Sequence, residues 1–377
     1  MRKQDEILAD IDYLKSNDME VCIFGAGKIG TGFGYEILSL FNIKASFYCD
    51  NNSKKWTTVI RDGLICISPD DLKTKKNCAC IVLVGASYYE SVAKQVKSLG
   101  IGPVITYPEL CTLDQVINYF YSKDFTIQHQ FAKSRLDKIK EYDSKPCKQV
   151  RNIRNKKIAV YTCITGDYDE ILEPEVISNE CDYYLISECK PNFLKIFNWV
   201  NIFDVVPDYV DDNVRRNRYC KINVSKIFGE YKYSIYIDGN IKILKDINYY
   251  INLIGKSGIA IHRHPQHQCL YIEGMRCTVA GIDNENIIRE QTKRYMQEGM
   301  PREFGQFECR VLVRENNLPC CIKIMKDWWN EVFTYSFRDQ ISFMYCVWKN
   351  GMSADDIGSL GNDSLKNEDF RVVRFHR

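Results

Sequence analysis

The sequence predicts an α/β protein built from two domains. Two separate series of short apolar strands alternate with helical segments, an order typical of mostly parallel sheets covered by helices. The chain has 377 residues, more than one hydrophobic core usually holds. Its hydrophobic fraction of 45% and aromatic fraction of 12% are enough to fill two packed cores.

The first series of strands defines a predicted domain at residues 1–113. Ile7, Ile11 and Leu14 recur at helical spacing and predict an amphipathic first helix. Four apolar strands follow with helices between them, at residues 21–24, 45–49, 80–84 and 104–106. Strands and helices in this alternation predict a mostly parallel, doubly wound sheet.

A glycine motif lies between the first strand and the next helix. Gly25, Gly27 and Gly30 form Gly-x-Gly-x-x-Gly, a pattern that permits a tight turn and close approach of a phosphate. Asp50 ends the next strand, where a carboxylate can accept hydrogen bonds from a ribose. The motif predicts binding of NAD(P) or another nucleotide. A structural or interaction role is the equal alternative, since no tyrosine-lysine pair of dehydrogenase type follows.

This first domain resembles the Rossmann-like domains appended to bacterial sugar-modifying proteins. The resemblance rests on Phe-Tyr-Cys-Asp-Asn-Asn at residues 47–52 and Ile-Ser-Pro-Asp-Asp-Leu at residues 67–72.

A polar helical connector is predicted at residues 114–156, and a second α/β domain at residues 157–377. New strands are expected at residues 158–162, 183–186 and 233–237, with a helix over 214–228. A basic run at residues 148–157 is interpreted as a solvated linker, and a membrane-surface patch is the alternative.

Charge and cysteine content exclude several classes of protein. Lys+Arg (51) nearly balances Asp+Glu (49), so the overall basic field of a nucleic-acid binder is absent. The 17 cysteines show no repeated Cys-x-x-Cys spacing of a zinc finger. The N-terminal residues lack an apolar signal core, and no apolar run approaches the roughly 20 residues that span a bilayer. We therefore expect a cytoplasmic protein with reduced thiols, with peripheral membrane association as the alternative.

Asp238 is the first candidate ligand of a divalent metal. It follows an apolar strand, and Asn240 lies two residues on. Oxygen ligands at such a turn suit Mg²⁺ or Mn²⁺, which bridge diphosphate oxygens. A simple turn is the alternative interpretation.

Basic and histidine side chains flank this strand. Arg215, Arg218 and Lys221 follow one another at three-residue spacing, so a helix places them on one broad face. Donor-phosphate binding and a solvated basic face are equal interpretations of that face. Downstream, His262, His264 and His267 form the histidine cluster of the chain, as a ligand set or as surface histidines.

The order of motifs over residues 157–350 resembles the glycosyltransferase-like domain family that also occurs in plant mucilage-related proteins. The motifs are Gly-Asp-Tyr-Asp at 166–169, Arg-x-Asn-Arg-x-x-Lys at 215–221, Tyr-Ser-Ile-Tyr-Ile-Asp-Gly-Asn at 233–240, His262, Glu273, Gly-Met-Pro at 299–301, Val-Arg-Glu-Asn at 313–316, Trp-Trp-Asn-Glu-Val at 328–332 and Ser-Phe-Arg-Asp-Gln-Ile-Ser-Phe at 336–343. The last of these blocks is the strongest element of the resemblance.

This resemblance implies a GT-A-like fold with a nucleotide-binding half and an acceptor-binding half. It implies that the segment including Thr162, Gly166 and Tyr168 lies near the nucleotide base, and that Asp238 holds Mn²⁺ or Mg²⁺. Asn240 departs from the Asp-x-Asp form and removes one of two expected carboxylates. A histidine, His262 or His376, is expected to complete the metal shell.

The resemblance also implies that Arg338, Asp339 and Gln340 lie beside the transferred sugar. Asp339 is expected to accept sugar hydroxyls, to orient the acceptor or to act as a base, and an N-capping role is the structural alternative. Trp328 and Trp329 are candidates for stacking on a sugar, although adjacent tryptophans more often belong to a core.

The predicted function is transfer of a sugar from a nucleotide-sugar donor to a polysaccharide, glycan or glycolipid acceptor. An NAD(P)-dependent oxidoreductase based on the glycine motif is one alternative, and a non-catalytic nucleotide-binding module is another. A metal-dependent hydrolase is disfavoured because the histidines lack a His-Glu-x-x-His helix. The donor, the stereochemistry of transfer and the oligomeric state are left open.

Overall fold

The computed structural model describes residues 2–85, 88–123, 129–142, 148–152 and 154–373. These residues form two compact units. The first unit contains Met1–Asp124 and Met275–Ile282, and the second contains Phe125–Gly274 and Asp283–Arg377. The domain boundaries expected from the sequence stay a prediction.

The first unit is a six-stranded sheet with helices. Its strands are β1 (Glu20–Phe24), β2 (Phe47–Cys49), β3 (Val59–Arg61), β4 (Leu64–Ile67), β5 (Cys78–Val82) and β6 (Val104–Thr106). Its helices are α1 (Gln4–Ser16), α2 (Lys28–Thr31), α3 (Phe33–Glu36), α4 (Pro69–Lys73), α5 (Tyr89–Ser98), α6 (Tyr107–Leu110) and α7 (Asp114–Ser122). The sheet order is β3-β4-β2-β1-β5-β6, in which only β3 pairs antiparallel.

The parallel strands of this sheet are doubly wound outward from the buried central strand β1. The glycine motif makes the turn after β1, because a Cβ on Gly30 would stand 1.8 Å from the carbonyl oxygen of Gly25. The helix that follows is interrupted after four residues, at Thr31. Glycine at Gly30 is therefore explained by packing of the turn, whether or not a nucleotide binds there.

The second unit has a seven-stranded sheet and a two-stranded one. Its strands are β7 (Ile158–Cys163), β8 (Cys181–Ser187), β9 (Asn198–Asn201), β10 (Tyr233–Ile237), β11 (Ile241–Ile243), β12 (Ile259–Arg263), β13 (Phe307–Glu315), β14 (Gly358–Ser359) and β15 (Phe370–Val372). Its helices are α8 (His129–Tyr142), α9 (Ile202–Val205), α10 (Asn213–Ile222), α11 (Val224–Ile227), α12 (Leu270–Ala280, grouped with the first unit from Met275), α13 (Glu285–Gln297), α14 (Pro319–Thr334) and α15 (Asp339–Lys349). Short 3-10 helices are Ile37–Phe41 and Ser53–Lys55 in the first unit and Asn248–Leu253, Ala354–Asp356 and Ser364–Lys366 in the second.

The order of the large sheet brings several loops to one edge. It runs β14-β12-β13-β10-β7-β8-β9, and β10, β7, β8 and β9 are parallel neighbours. Parallel strands end at the same edge of a sheet, so the loops after β7, β8 and β10 lie side by side. β13 runs antiparallel between β10 and β12 and covers what would otherwise be an open edge of the parallel part.

The sequence predicted the α/β fold class of both units, and the structure confirms it. One helix differs from the prediction. The helix expected over residues 214–228 is divided at Asn223 into α10 and α11. The cysteines of the described part are free thiols, and all except Cys189 and Cys320 are buried. Among the described helices, none combines the length and apolarity needed to cross a membrane.

Arg314 on β13 fixes the end of α10 from inside the core. Its fully buried guanidinium donates hydrogen bonds to the carbonyl of Lys221 (2.6 Å) and to the hydroxyl of Tyr161 (2.7 Å). The Tyr161 hydroxyl in turn donates to the carbonyl of Cys220 at 3.1 Å. A cation at the carbonyl end of a helix is favourable, because unpaired carbonyls collect there. Arg314 therefore anchors the turn of α10 that carries Lys221.

Replacing Arg314 with Met removes these bonds while keeping an unbranched side chain of similar length. We expect the free energy of unfolding to fall by about 2–4 kcal/mol, because a buried helix-end carbonyl loses its donor. Chemical denaturation followed by tryptophan fluorescence measures the change. The control is Arg371→Met, which breaks an ion pair of an arginine side chain that is 60% exposed and should cost below about 1 kcal/mol. Equal stability of the two variants would contradict the anchoring role.

Candidate active site

A buried lysine flanked by two carboxylates lies at the carboxyl end of β10. The ammonium Nζ of Lys221 is 2.6 Å from Oδ2 of Asp339 and 3.4 Å from Oδ1 of Asp238. The side chains of Lys221 and Asp339 are each 3% exposed, whereas that of Asp238 is 28% exposed. We call these three residues the charged cluster. Asp238 is the member that solvent or a ligand reaches.

The three basic residues of α10 lie on one face of the helix, as their spacing predicted, and all three contact residues 335–339. Arg215 donates to the carbonyl of Tyr335 at 3.1 Å, and Arg218 donates to that of Phe337 at 3.4 Å. Arg218 also lies 3.7 Å from Asp339, the partner of Lys221. Arg215 also forms an ion pair with Asp212 at 3.2 Å, so its guanidinium has a structural role. Arg218 and Lys221 are the basic residues placed at the charged cluster.

The environment of Asp339 keeps its carboxylate ionised. Burial alone would raise its pKa, but the nearby cations Lys221, Arg218 and Arg338 outweigh burial and lower the pKa to about 2. Oδ1 of Asp339 also accepts the backbone N–H of Gln340 at 3.0 Å, in the first turn of α15. The sequence offered Asp339 as either a site residue or a helix cap. The N-cap of α15 is Arg338 and Asp339 is the first helical residue, so the capping alternative is wrong.

A cleft of about 470 Å³ opens at the ends of β7 and β8. It is lined by Ile164, Gly166, Asp167, Asp169, Glu170, Ile171, Leu185, Ser187, Glu188, Cys189, Lys190, Pro191 and Asn213. Its lining thus contains four carboxylates and one lysine. Of the residues predicted near a nucleotide base, Gly166 lines the cleft and donates its N–H to Glu188 at 3.0 Å. Tyr168 is 55% exposed, and the hydroxyl of Thr162 is buried without a hydrogen bond to any described group.

Two contacts join segments that adjoin the cleft to segments that adjoin the charged cluster. Asn217 on α10 donates to the carbonyl of Cys163 at 2.7 Å and accepts from Arg218 at 2.6 Å. The carboxylate of Asp169 packs against Gly239, where a Cβ would stand 2.9 Å from its Oδ2. The absence of a side chain at Gly239 therefore lets a cleft carboxylate lie beside the turn that carries Asp238.

The residues predicted as metal ligands lie in different surroundings. Asp238 and Asn240 flank Gly239 in the turn after β10. His262 is fully buried on β12, its Nε2 is 3.0 Å from the side-chain amide of Asn367, and burial lowers its pKa to about 4. His376 lies outside the described residues. Metal binding at Asp238 stays a prediction, and the acidic neighbour that the geometry adds to it is Asp169.

Arg338 and Gln340 belong to a network that the sequence did not reveal. Arg338 donates to Gln340 at 2.6 Å and to Glu273 through two nitrogens, each at 3.3 Å. Glu273 also lies 3.4 Å from Nε2 of His267. Glu273 appeared in the sequence only as one member of the family motifs, and nothing in its spacing pointed to Arg338.

Two other predicted features have structural explanations. Trp328 and Trp329 are buried, and their indole nitrogens donate to the carbonyl of Asp339 (2.9 Å) and the hydroxyl of Tyr209 (3.2 Å). They pack in the core rather than facing a sugar. In the first unit, Asp50 accepts the N–H of Ala26 at 2.8 Å and pairs with Lys55 at 2.9 Å. Nucleotide binding there, with Gly25, Gly27 and Gly30, stays a prediction.

The second unit is thus an α/β unit with a carboxylate-bearing turn after an inner strand of its large sheet and an open cleft at the ends of β7 and β8. The chain belongs to the TOD1/MUCI70 glycosyltransferase-like domain family, whose model matches residues 109–359. It is 26% identical over 268 residues to the curated "Probable hexosyltransferase MUCI70" of Arabidopsis thaliana, a match covering 63% of this chain and 44% of that protein. The chain thus spans less than half the length of this relative.

Solved structures give weaker likenesses. The apo structure of the bifunctional glycosyltransferase WbbM has a TM-score of 0.30 and 11% identity, over 56% of this chain and 40% of that one. A Rex-family repressor, RSP, has a TM-score of 0.21 and 16% identity, over 27% of this chain and 52% of that one.

Replacing Asp339 with Asn tests the buried ion pair. At neutral pH we expect the free energy of unfolding to fall by about 3–5 kcal/mol, because Lys221 stays buried without its carboxylate partner. In the wild type this stabilisation is fully present above the ordinary pKa of 3.8 and is lost as the pH falls towards the folded-state pKa of about 2. The difference in Tm between wild type and variant should therefore narrow between about pH 4 and pH 2.

The control for this prediction is Asp355→Asn, which changes a carboxylate whose side chain is 94% exposed. Its Tm should follow that of the wild type at every pH. A Tm difference between wild type and Asp339→Asn that does not change with pH would contradict the ionised state of Asp339.

Proposed function

We propose that the second unit transfers a hexosyl group from a nucleotide sugar to a glycan or glycolipid acceptor. The observation that carries the proposal is the charged cluster: a buried cation between two carboxylates, at the strand end beside an open cleft. Transfer from a nucleotide sugar requires stabilisation of the negative charge that grows on the leaving diphosphate. Membership of a glycosyltransferase-like family supports the same reaction class.

The charge of the cleft favours one orientation of the donor. Four carboxylates line the cleft, so a diphosphate placed there would be repelled, whereas ribose hydroxyls and base N–H groups would find acceptors. The positive charges of Arg218 and Lys221 lie instead on α10, next to Asp339. We infer that the nucleoside occupies the cleft and that the diphosphate points towards Asp238.

The residues at the turn fit a divalent metal with oxygen ligands. Asp238 offers a partly exposed carboxylate, Asn240 an amide oxygen, and Asp169 a second carboxylate against Gly239. When bound, Mn²⁺ or Mg²⁺ would neutralise charge on the diphosphate as a Lewis acid. Lys221 contributes separately from the metal, because its ammonium lies 3.4 Å from Asp238 and holds that carboxylate in place at the turn after β10.

The protonation of Asp339 narrows its role. A general base works best when its pKa lies near the working pH, and a carboxylate with a pKa of about 2 accepts a proton poorly at neutral pH. The same carboxylate is a strong acceptor for a hydroxyl hydrogen bond. The side chain of Asp339 is only 3% exposed, however, so its hydrogen-bonding capacity is directed at Lys221 and Arg218. We therefore propose that Asp339 holds these two cations in place and does not remove the acceptor proton, and that the partly exposed Arg338 and Gln340 orient sugar hydroxyls.

The first experiment is a thermal-shift screen of the full chain against UDP, GDP and CMP sugars, each with and without Mn²⁺, plus NAD and NADP. We expect one sugar nucleotide to raise Tm, and Mn²⁺ to enlarge the shift. Asp238→Ala should lose the metal-dependent part, and its own Tm without ligand should stay above that of Asp339→Asn, because Lys221 keeps its nearer partner Asp339 at 2.6 Å. Shifts with NAD or NADP alone would overturn the proposal in favour of an oxidoreductase.

A second prediction concerns the second metal-binding carboxylate, which the Asp-x-Asp form has at the position of Asn240. If Asp169 supplies it, Asp169→Asn should weaken Mn²⁺ binding at least about tenfold, by analogy with loss of other groups that support a metal site. Adding Asn240→Asp to that variant should restore most of the affinity, because the turn then carries two carboxylates again. Mn²⁺ binding is measured by electron paramagnetic resonance of the free ion, without any assay of turnover.

The matched control is Asp167→Asn, which removes one charge from the same cleft at a backbone conformation (φ 52°) that Asn adopts readily. It should change Mn²⁺ affinity only slightly. Equal weakening by Asp167→Asn and Asp169→Asn would mean that overall charge, not ligation by Asp169, controls binding.

A further inference from the structure

A group of three metal-ligating side chains lies between β12 and α12. His264 follows the last residue of β12, His267 lies three residues further, and Glu273 is in the first turn of α12. One ligand atom from each residue lies within 4.8 Å of the others. His267 and Glu273 are buried, and His264 is half-buried. The turn between the strand and the helix thus gathers two imidazoles and a carboxylate at one point.

The spacing within this group is compatible with shared coordination of one ion. Nε2 of His267 is 3.4 Å from Oε2 of Glu273, longer than the roughly 2.9–3.0 Å usual for an N–H···O bond. Two ligands of a tetrahedral Zn²⁺, each bonded at about 2.0–2.1 Å, stand about 3.3 Å apart. The two atoms are therefore separated by close to one edge of such a tetrahedron.

The two oxygens of Glu273 face different partners. Oε1 accepts from Nε and Nη2 of Arg338, each at 3.3 Å, and Oε2 faces His267. Oε2 is therefore the oxygen of Glu273 that lies on the side of the histidines.

We propose that His264, His267 and Glu273 bind one transition-metal dication of the zinc type, at a site separate from Asp238. Two imidazole nitrogens and one carboxylate favour Zn²⁺ over Mg²⁺ or Ca²⁺, which take oxygen ligands. Three protein ligands leave a fourth position open to water or to an acceptor group. The proposal does not depend on the reaction proposed above.

A metal bound here would be connected to the charged cluster through the contacts of Arg338. With Oε2 of Glu273 on the metal, Oε1 stays with Arg338, which contacts Gln340 at 2.6 Å and helps to hold Asp339 ionised. His264 has to adjust, because its Nδ1 faces the backbone N–H groups of Gln266 and His267 at 3.2 and 3.3 Å. Coordination through Nε2 moves the imidazole proton to Nδ1 and releases these two long contacts.

The test uses the untagged full chain, stripped with a chelator and titrated with Co²⁺ as a spectroscopic substitute for Zn²⁺. We expect visible absorption of tetrahedral Co²⁺ that saturates at one equivalent and is displaced by Zn²⁺, with one zinc per chain by elemental analysis. His264→Ala and His267→Ala should each weaken binding at least about tenfold. Saturation at one equivalent in the wild type without loss in either variant would overturn the assignment, as would the absence of any such absorption.

Two comparisons keep the test independent of folding and of the other site. His264→Ala is the informative variant, because its side chain is only half-buried and its removal should leave the fold intact, which circular dichroism checks. Asp238→Ala should leave Co²⁺ absorption unchanged, whereas it should remove Mn²⁺ binding at the turn after β10. Loss of Co²⁺ absorption in Asp238→Ala would mean that the dication binds there and not at the histidines.

Discussion

The second unit depends on the stabilisation of one buried ammonium, that of Lys221. Burying a charge costs several kcal/mol unless partners compensate for it, and here Asp339 at 2.6 Å and Asp238 at 3.4 Å do so. The position of Lys221 is itself set from the core, where Arg314 binds the carbonyl of the same residue. The ion pair therefore links the inner strands, the end of α10 and the start of α15, and it places Asp238 beside the cleft.

Charge is separated along this site in a way that matches a nucleotide sugar. The cleft at the ends of β7 and β8 is lined with carboxylates, whereas the cations Arg218 and Lys221 lie next to Asp339 in the protein interior. A donor has a neutral nucleoside rich in hydrogen-bond donors at one end and a charged diphosphate next to the sugar. The loop after β7 contacts both regions. Asn217 of α10 donates a hydrogen bond to Cys163, where the loop begins, and Asp169 of the loop packs against Gly239. With the donor oriented as proposed, a change in this loop would affect both of its ends.

The parts predictable from sequence are those set by local periodicity. Strand and helix alternation predicted the fold class, and three-residue spacing predicted the common face of the basic residues on α10. Contacts between distant segments left no such signal. Glu273 meets Arg338 across 65 residues, and Asp169 meets Gly239 only because the ends of β7 and β10 are neighbours in the sheet. For His262, the family motif suggested a metal ligand. Its side chain is instead buried on β12, where it contacts Asn367.

In the proposed function, Asp238 marks where the diphosphate and its metal bind. The most direct measurement is a crystal structure of the full chain with Mn²⁺ and the nucleoside diphosphate that gives the largest thermal shift, with anomalous scattering used to locate manganese. The account predicts an anomalous peak at the turn after β10, with Asp238 and Asp169 as ligands and the nucleoside in the cleft. Manganese found elsewhere, or a nucleotide bound only at the glycine motif of the first unit, would contradict it.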